Sequence, residues 1–382
     1  SVLFLLFPTM ICMGATSPLI ISILTHNANE SGENSGKIYA VSTVGGILAT
    51  FLCGFYLIPN FGVQLSLIGF AIALGLAAMF LILKKKSKVS GSILLFVISL
   101  ALYGFANSKS NRFTVFKSEG ILGKLEIREE PSYSNEAVII RKLLINNTIQ
   151  TEMQIDSKQS VSDYVRLVEK NLLYLPKGKT LILGLGGGVV ANLFQQHHYD
   201  VTAVEFDSRI IDMAKQFFYL SDSVKTVSAD ARYYINNCKD KFNIILFDVF
   251  KAEEQPSHVI TKESLMKLKT MLDTNGIVLI NTHGYLTGEK GLGTQCMLAT
   301  LKQAGFDIKI CTFSEVEKYR NLLIVASLKP IDVALHGELY PFMLTDLETI
   351  NKDNQPILEA LNASANQEFR TLYLNNYILR NY

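Results

Sequence analysis

Short apolar segments alternate with segments of helical periodicity between residues 180 and 328. The predicted strands are TLILG (180–184), VTAVE (201–205), SVKTVSAD (223–230), FNIILFD (242–248), GIVLIN (276–281) and two further strands near 307–313 and 321–328. Helical patterns separate them, ending near 197 and covering 208–219, 261–272 and 290–304. This alternation is typical of a doubly wound α/β sheet with mostly parallel strands and helices on both faces.

A different pattern precedes this series. FTVF (113–116), KLEIRE (124–129) and AVIIRKLLI (137–145) predict short strands separated by turn residues, hence a small antiparallel β unit. Residues 160–174 then show helical periodicity and open on a serine.

The amino-terminal part of the chain is strongly apolar. Four apolar runs cover residues 1–23, 38–59, 62–83 and 93–106. The first three carry no charged residue and reach the roughly 20 residues that a helix needs to cross a bilayer. We therefore predict a bundle of about four transmembrane helices, with the lipid bilayer as a partner. Helices buried in a soluble protein are the alternative.

Charge and cysteine content exclude several functions. The formal net charge is only +2, which gives no reason to expect a nucleic-acid partner. The five cysteines are scattered, and none forms a CxxC pair. We expect neither a disulfide framework nor a zinc site, and no metal is called for.

Glycines and acids follow the predicted strands in a defined order. Gly184, Gly186, Gly187 and Gly188 follow the first strand, where glycines allow a tight turn and a close approach of the backbone to a ligand. The next three strands end in acids, Glu205, Asp230 and Asp248. Glu205 can accept ribose hydroxyls, and Asp230 can accept the amino group of adenine.

This order indicates a Rossmann-like domain for an adenosyl group. NAD would also fit the glycines and Glu205, but it does not require Asp230 and Asp248 as a set. The loop has no phosphate-binding Lys-Ser/Thr pair, which excludes a P-loop ATPase.

The segments LILGLGGGVV, VTAVEFD, SADAR, FNIILFDVF and HVITKESLMKLKTMLDTNGIVLIN together resemble the core of the spermidine synthase (polyamine aminopropyltransferase) family. PTMICMGATSPL (8–19) and residues 37–62 resemble the membrane part of the branch fused to a multi-helix membrane region. The resemblance implies a class I methyltransferase-type Rossmann fold. It also implies transfer of an aminopropyl group from decarboxylated S-adenosylmethionine to a small amine, with release of methylthioadenosine.

The resemblance also implies roles for individual residues. Gln150 matches a glutamine that contacts the co-substrate, while Glu205 would hold the ribose and Asp230 the adenine. Tyr164 and Asp248 match the pair that orients and deprotonates the attacking amine. A carboxylate and a phenol oxygen can hold an amine and accept its proton as the bond forms.

Three departures from the family pattern keep other functions open. Gly187 stands where the family has an aspartate, and Val165 and Arg166 replace His-Glu. The family's Asp-Ser-Ser-Asp-Pro run becomes Asp248-Val249-Phe250-Lys251-Ala252, which keeps only the first acid and places Lys251 at the second. Arg166 or Lys251 could pair with the carboxylate of intact S-adenosylmethionine. One alternative is therefore an S-adenosylmethionine-dependent methyltransferase or lyase. The other is a membrane transporter or sensor with a cofactor-binding Rossmann domain.

The sequence thus predicts four regions: 1–107 transmembrane helices, 108–158 small β unit, 159–330 Rossmann-like domain and 331–382 carboxyl-terminal tail. Lysines follow both the third and the fourth apolar run, so charge alone does not decide the sidedness. We expect an integral protein of the cell inner membrane with its soluble domain in the cytoplasm, where adenosyl sulfonium compounds are mainly found. The sequence does not determine the oligomeric state, and a homodimer is one possible assembly.

Overall fold

The computed structural model describes residues 2–84, 112–250, 255–332, 334–339 and 349–381. The chain divides into two compact units. The first comprises Ser1–Gly104 with Glu119–Ile121, and the second comprises Phe105–Ser118 with Leu122–Tyr382.

Residues 2–84 of the first unit are mostly helical. Its helices are α1 (Val2–Leu24), α2 (Ser31–Leu52), a π-helical turn (Cys53–Leu57) and α3 (Ile58–Lys84). The runs predicted at 38–59 and 62–83 follow one another without a loop, and the backbone breaks at Gly62, whose φ is 76°. A positive φ suits glycine because it has no Cβ. The fourth predicted run, 93–106, lies outside the described residues.

One stretch of these described helices is long and apolar enough to cross a membrane. It is Ser31–Ala77, 47 residues long, and none of its most apolar window is buried. Large apolar side chains are open along it, including Phe55 at 78% and Leu74 at 71% exposure. Within α1, Met13–Leu24 is a further apolar stretch. This finding concerns length and composition only.

The second unit begins with a four-stranded sheet in the order β1-β2-β3-β4. Its strands are β1 (Thr114–Gly120), β2 (Gly123–Pro131), β3 (Ile139–Ile145) and β4 (Thr148–Gln154). The sequence predicted the first three strands and missed β4. Asn146 and Asn147 both have positive φ, which is the geometry of a two-residue hairpin turn between β3 and β4.

The main sheet has seven strands in the order β10-β11-β9-β8-β5-β6-β7. They are β5 (Lys179–Leu183), β6 (Asp200–Glu205), β7 (Lys225–Ser228), β8 (Phe242–Phe247), β9 (Leu272–His283), β10 (Asp307–Cys311) and β11 (Asn321–Ser327). The five strands β5 to β9 pair in parallel, while β11 pairs antiparallel with both β9 and β10. The predicted α/β sheet of mostly parallel strands is confirmed.

Helices cover both faces of this sheet. They are α4 (Asp163–Asn171), α5 (Val189–Gln196), α6 (Ser208–Phe217), α7 (Ala231–Asn237), α8 (Lys262–Lys269), α9 (Leu292–Gln303) and α10 (Leu358–Asn381). Successive residues of β5 alternate between two buried cores, Leu181 and Leu183 in one and Ile182 in the other. Such alternation follows from the two-residue period of a strand. A buried strand therefore reads as a continuous apolar run.

Candidate active site

The carboxyl ends of four adjacent parallel strands form one edge of the main sheet. Main-chain hydrogen bonds fix this edge: Gly184 N donates to Val204 O at 2.8 Å, and Asp248 N donates to Leu183 O at 2.8 Å. Ala229 N donates to Glu205 O at 2.9 Å. The glycine loop and the three acids predicted at strand ends therefore lie along the same edge, where ligands bind in open α/β sheets.

The loop between β5 and α5 depends on glycine. Gly184, Gly186 and Gly188 have φ values of 89°, 52° and 75°. A Cβ on Gly184 would collide with the main-chain oxygen of Asp248, so the loop passes directly over the end of β8. Gly188 is the N-cap of α5, which points the free N–H groups of that helix at the loop.

Gly187 is closed in by its neighbours. Its N–H donates to Thr151 Oγ1 at 2.8 Å. A Cβ at this position would lie 2.7 Å from Thr151 Cγ2 and 2.9 Å from the ring of Phe218. Phe218 is fully buried, so it has no room to retreat. An aspartate at position 187 would therefore force Thr151 or the Phe218 ring to shift.

Glu205 is a buried carboxylate tied to the main chain. Only 7% of the residue is exposed. Leu185 N donates to its Oε2 and Asp207 N donates to its Oε1, each at 3.0 Å. Burial raises the pKa of Glu205, while these main-chain donors act in the opposite direction. A carboxylate has about four acceptor positions, so Glu205 can still accept hydroxyl donors.

Asp230 is the most solvent-exposed of the three strand-end acids. It is the N-cap of α7, and its Oδ1 accepts from Tyr233 N at 2.8 Å. Its other oxygen, Oδ2, lies 3.3 Å from His258 Nε2. Asp230 therefore starts a helix and also presents one oxygen at the edge of the site.

Tyr164 and Asp248 are in direct contact. The hydroxyl of Tyr164, on α4, donates to Asp248 Oδ2 across 84 positions of sequence. Asn281 Nδ2 donates to the other oxygen, Asp248 Oδ1, at 2.8 Å. Each oxygen of Asp248 thus accepts one neutral donor and keeps a lone pair for a further ligand.

Burial controls the ionisation of this pair. It raises the pKa of Asp248, although the donors Asn281 and Tyr164 pull that pKa downward. Burial and the adjacent Asp248 carboxylate raise the pKa of Tyr164 well above its usual range. Around neutral pH the arrangement is a neutral phenol that donates to an aspartate primed to accept a proton.

The other predicted residues are placed differently. Gln150 is the extra residue of a β-bulge opposite Leu144, and its Nε2 donates to Thr148 O at 3.3 Å. Its neighbour Thr151 reaches Gly187, so the bulge stands beside the loop. Arg166 pairs with Asp163 on the exposed face of α4, about 200° around the helix from Tyr164. Lys251 lies outside the described residues.

Sequence reasoning missed three residues at this edge. Asn281 ends an apolar run on β9, so the same rule of polar residues at strand ends would have found it. Thr151 and His258 carry no sequence signal, because tertiary folding alone brings them to Gly187 and Asp230. Among the residues that the structure describes, no group of His, Cys, Asp and Glu could hold a metal ion.

The parallel strands, the glycine loop and the strand-end acids define a Rossmann-like α/β domain of the methyltransferase type. Residues 150–330 match the family model of the spermine/spermidine synthase domain.

Individual relatives are similar over shorter stretches. The polyamine aminopropyltransferase of Vibrio vulnificus (strain CMCP6) is 37% identical over 129 residues, which are 31% of this chain and 42% of that protein. An N-terminal histidine N-methyltransferase of Emericella nidulans is 26% identical over 173 residues, 43% of this chain and 28% of that protein. The crystal structure of spermidine synthase from Thermotoga maritima has a TM-score of 0.44 and 14% identity, covering 68% of this chain and 88% of that one.

Proposed function

We propose that the protein is a membrane-anchored aminopropyltransferase of the spermidine synthase type. It would move an aminopropyl group from decarboxylated S-adenosylmethionine to an amine acceptor and release methylthioadenosine. The observation that carries the proposal is the hydrogen-bonded pair of Tyr164 and Asp248 beside the glycine loop. The match of residues 150–330 to the family model of the spermine/spermidine synthase domain supports it.

The residues along the sheet edge fit an adenosyl group. Glu205 would accept the ribose hydroxyls with its remaining lone pairs, and Asp230 would accept the amino group of adenine. The loop formed by Gly184, Gly186, Gly187 and Gly188 would lie against the adenosyl group, and Gln150 would contact it from the bulge of β4.

The acceptor amine would meet Tyr164 and Asp248. When bound, the co-substrate supplies an electrophilic methylene carbon whose bond to sulfur breaks, with the electron pair, as the bond to nitrogen forms. Tyr164 would accept one N–H of the amine, and Asp248 would take the proton that the nitrogen loses. The raised pKa of Asp248 makes it a stronger base than an exposed aspartate.

Turnover is the direct test. Full-length protein in detergent would be incubated with decarboxylated S-adenosylmethionine and a panel of monoamines and diamines, and methylthioadenosine measured by mass spectrometry. We expect methylthioadenosine to form only when an amine acceptor is present. Absence of product with every amine would contradict the proposal.

A methyltransferase that uses intact S-adenosylmethionine is the second candidate. It is favoured by the enclosure of Gly187, which denies the site a carboxylate at that position. The similarity to a histidine N-methyltransferase also favours it. Formation of S-adenosylhomocysteine in the same assay, with S-adenosylmethionine supplied, would decide for this candidate.

The exposed apolar helices support membrane anchoring. Ser31–Ala77 has the length and composition of a span, and many of its large apolar side chains are exposed. We propose the lipid bilayer as the partner of residues 1–107. Residues 108–158 would then be a β unit, 159–330 the catalytic domain and 331–382 a tail. The cytoplasmic side of the inner membrane and a homodimer are part of the same proposal.

A further inference from the structure

Side-chain hydrogen bonds run from β11 through β9 to Asp248. Asn321 Nδ2 donates to Asn281 Oδ1 at 3.0 Å, and Asn281 Nδ2 donates to Asp248 Oδ1 at 2.8 Å. Asn321 pairs in register with position 283, so it is the diagonal neighbour of Asn281 on the same face of the sheet. The side-chain amides of Asn321 and Asn281 therefore form a chain of hydrogen bonds that ends on Asp248 Oδ1, whereas Tyr164 contacts Oδ2.

The main chain of Asn281 is fixed from a third direction. Gln255 Nε2 donates to Asn281 O at 2.7 Å, and Thr282 Oγ1 donates to Gln255 Oε1 at 2.9 Å. Asn281 is 4% exposed and Gln255 is 3% exposed, so water does not compete for these groups. The amide of Asn281 has little freedom to leave Asp248.

The orientation of the Asn281 amide depends on the charge of Asp248. The amide carries a donor at one end and an acceptor at the other. An ionised carboxylate accepts only, so it attracts the NH2 end, and Asn321 then satisfies the oxygen end. A flipped amide would set Oδ1 against Oδ1 of Asp248, which is repulsive. The pair of amides therefore favours the ionised aspartate.

We infer that Asn281, held by Asn321, is a positioning residue that keeps Asp248 ionised and holds its free lone pairs toward the acceptor amine. The part of this inference that concerns the amine rests on the proposed function. The part that concerns the ionisation of Asp248 does not. The family resemblance assigns no role to either asparagine.

A leucine substitution at position 281 distinguishes the effect of the hydrogen-bond donor from the effect of side-chain volume. Asn281→Leu keeps a similar volume but removes both hydrogen bonds, so a buried carboxylate loses one of its two donors. We expect the titration midpoint of Asp248 to rise by about one pH unit, a tenfold change in its ionisation constant. Asn321→Leu should shift the midpoint in the same direction by less, because the Asn281 donor remains.

The test is a pH titration that needs no turnover. Infrared difference spectra of the full-length protein in detergent would follow the protonated carboxyl band of Asp248, assigned by its loss in Asp248→Asn. Asn171→Leu is the matched control. Asn171 is also buried and bonds the main chain at Leu167 and His336, away from Asp248. It should lower thermal stability without moving the midpoint.

The midpoint of Asp248 in the Asn281 and Asn171 variants decides the inference. An upward shift in Asn281→Leu and none in Asn171→Leu supports the inference, and an unchanged midpoint in a folded Asn281→Leu overturns it. If that variant does not fold, Asn281→Asp keeps the shape and should raise the midpoint further, since it sets a second carboxylate beside the first. Failure to release methylthioadenosine would overturn the proposed function and leave this titration unaffected.

Discussion

Glu205 and Asp248 are both carboxylates at the ends of parallel strands, yet their donors differ in kind. Glu205 accepts two main-chain N–H groups, which hold it rigidly on the glycine loop. Asp248 accepts from the side chains of Tyr164 and Asn281. Main-chain donors suit a fixed ligand for hydroxyls, whereas the Tyr164 hydroxyl on Asp248 can rotate when a proton arrives. This contrast fits the roles that we propose, Glu205 as the binding acid and Asp248 as the reacting acid.

Asp248→Asn tests the reacting acid. The amide keeps the size of the side chain but cannot take a proton, so we expect turnover to fall by about 10²–10⁴-fold. Binding of methylthioadenosine should stay within about twofold of the unchanged protein. Asp222→Asn, on an exposed aspartate, is the control and should change neither. Full turnover in Asp248→Asn would refute its role as base.

Glu205→Gln tests the binding acid. The amide NH2 faces a main-chain N–H where the carboxylate oxygen accepted one, so a donor is left unsatisfied. We expect affinity for methylthioadenosine to fall by roughly 10- to 100-fold, about 1.4–2.8 kcal/mol, as measured by calorimetry. Unchanged affinity would mean that the adenosyl group binds elsewhere.

The pH dependence of turnover follows from the raised pKa of Asp248. The aspartate is active when ionised, so activity is lost as the pH falls through that pKa. Because the pKa is raised, the acidic limb of kcat/KM should lie above the ordinary aspartate value of about 3.9. Tyr164→Phe removes a donor that lowers this pKa, so the limb should move to higher pH. A limb at or below the ordinary value would contradict the assignment.

At the scale of elements, the glycine loop and the end of β8 are in direct contact. A Cβ at Gly184 would meet the main-chain oxygen of Asp248, at a φ of 89°. Gly305 offers a matched comparison, since its φ is 82° and a Cβ there would meet only the end of the Lys269 side chain, at 3.3 Å.

We expect Gly305→Ala to lower the free energy of unfolding by about 1–2 kcal/mol through backbone strain alone. Gly184→Ala should lower it by more than about 3 kcal/mol, because rigid main chain must also move. Denaturant unfolding of the two variants measures the difference. Equal losses would show that the loop does not depend on the close approach to β8.

The strands and helices could be predicted from the sequence where burial imposes a recognisable pattern of apolar residues. The strand series from TLILG to GIVLIN was predicted because strands buried on both faces read as apolar runs. β4 was missed because Asn146 and Asn147, which look like a loop, form a tight hairpin turn. Helix α7 was missed because Asp230, assigned to a ligand, is also its N-cap.

The sequence predicted part of the candidate site. Acids at strand ends follow from the rule for parallel sheets, which brought Glu205, Asp230 and Asp248 together. The contact of Tyr164 with Asp248 came only from the family resemblance, since they are 84 positions apart. The roles of Asn281 and Thr151 depend on packing that no local pattern encodes.

At the scale of the whole molecule, the proposed membrane anchor can be tested separately from the transfer reaction. If Ser31–Ala77 crosses a bilayer, alkaline carbonate washing of membranes should leave the full chain in the membrane pellet. A peripheral protein would be released into the supernatant. Recovery of most of the chain in the supernatant would contradict the anchor and leave the proposed transfer reaction untouched.

The choice of co-substrate tests the central claim most directly. The full-length protein would be titrated by calorimetry with decarboxylated S-adenosylmethionine, intact S-adenosylmethionine and methylthioadenosine under identical conditions. Aminopropyl transfer predicts that the decarboxylated form and methylthioadenosine bind at least about tenfold more tightly than the intact form, a difference of about 1.4 kcal/mol. Tighter binding of intact S-adenosylmethionine, or no binding of any of the three, would contradict it.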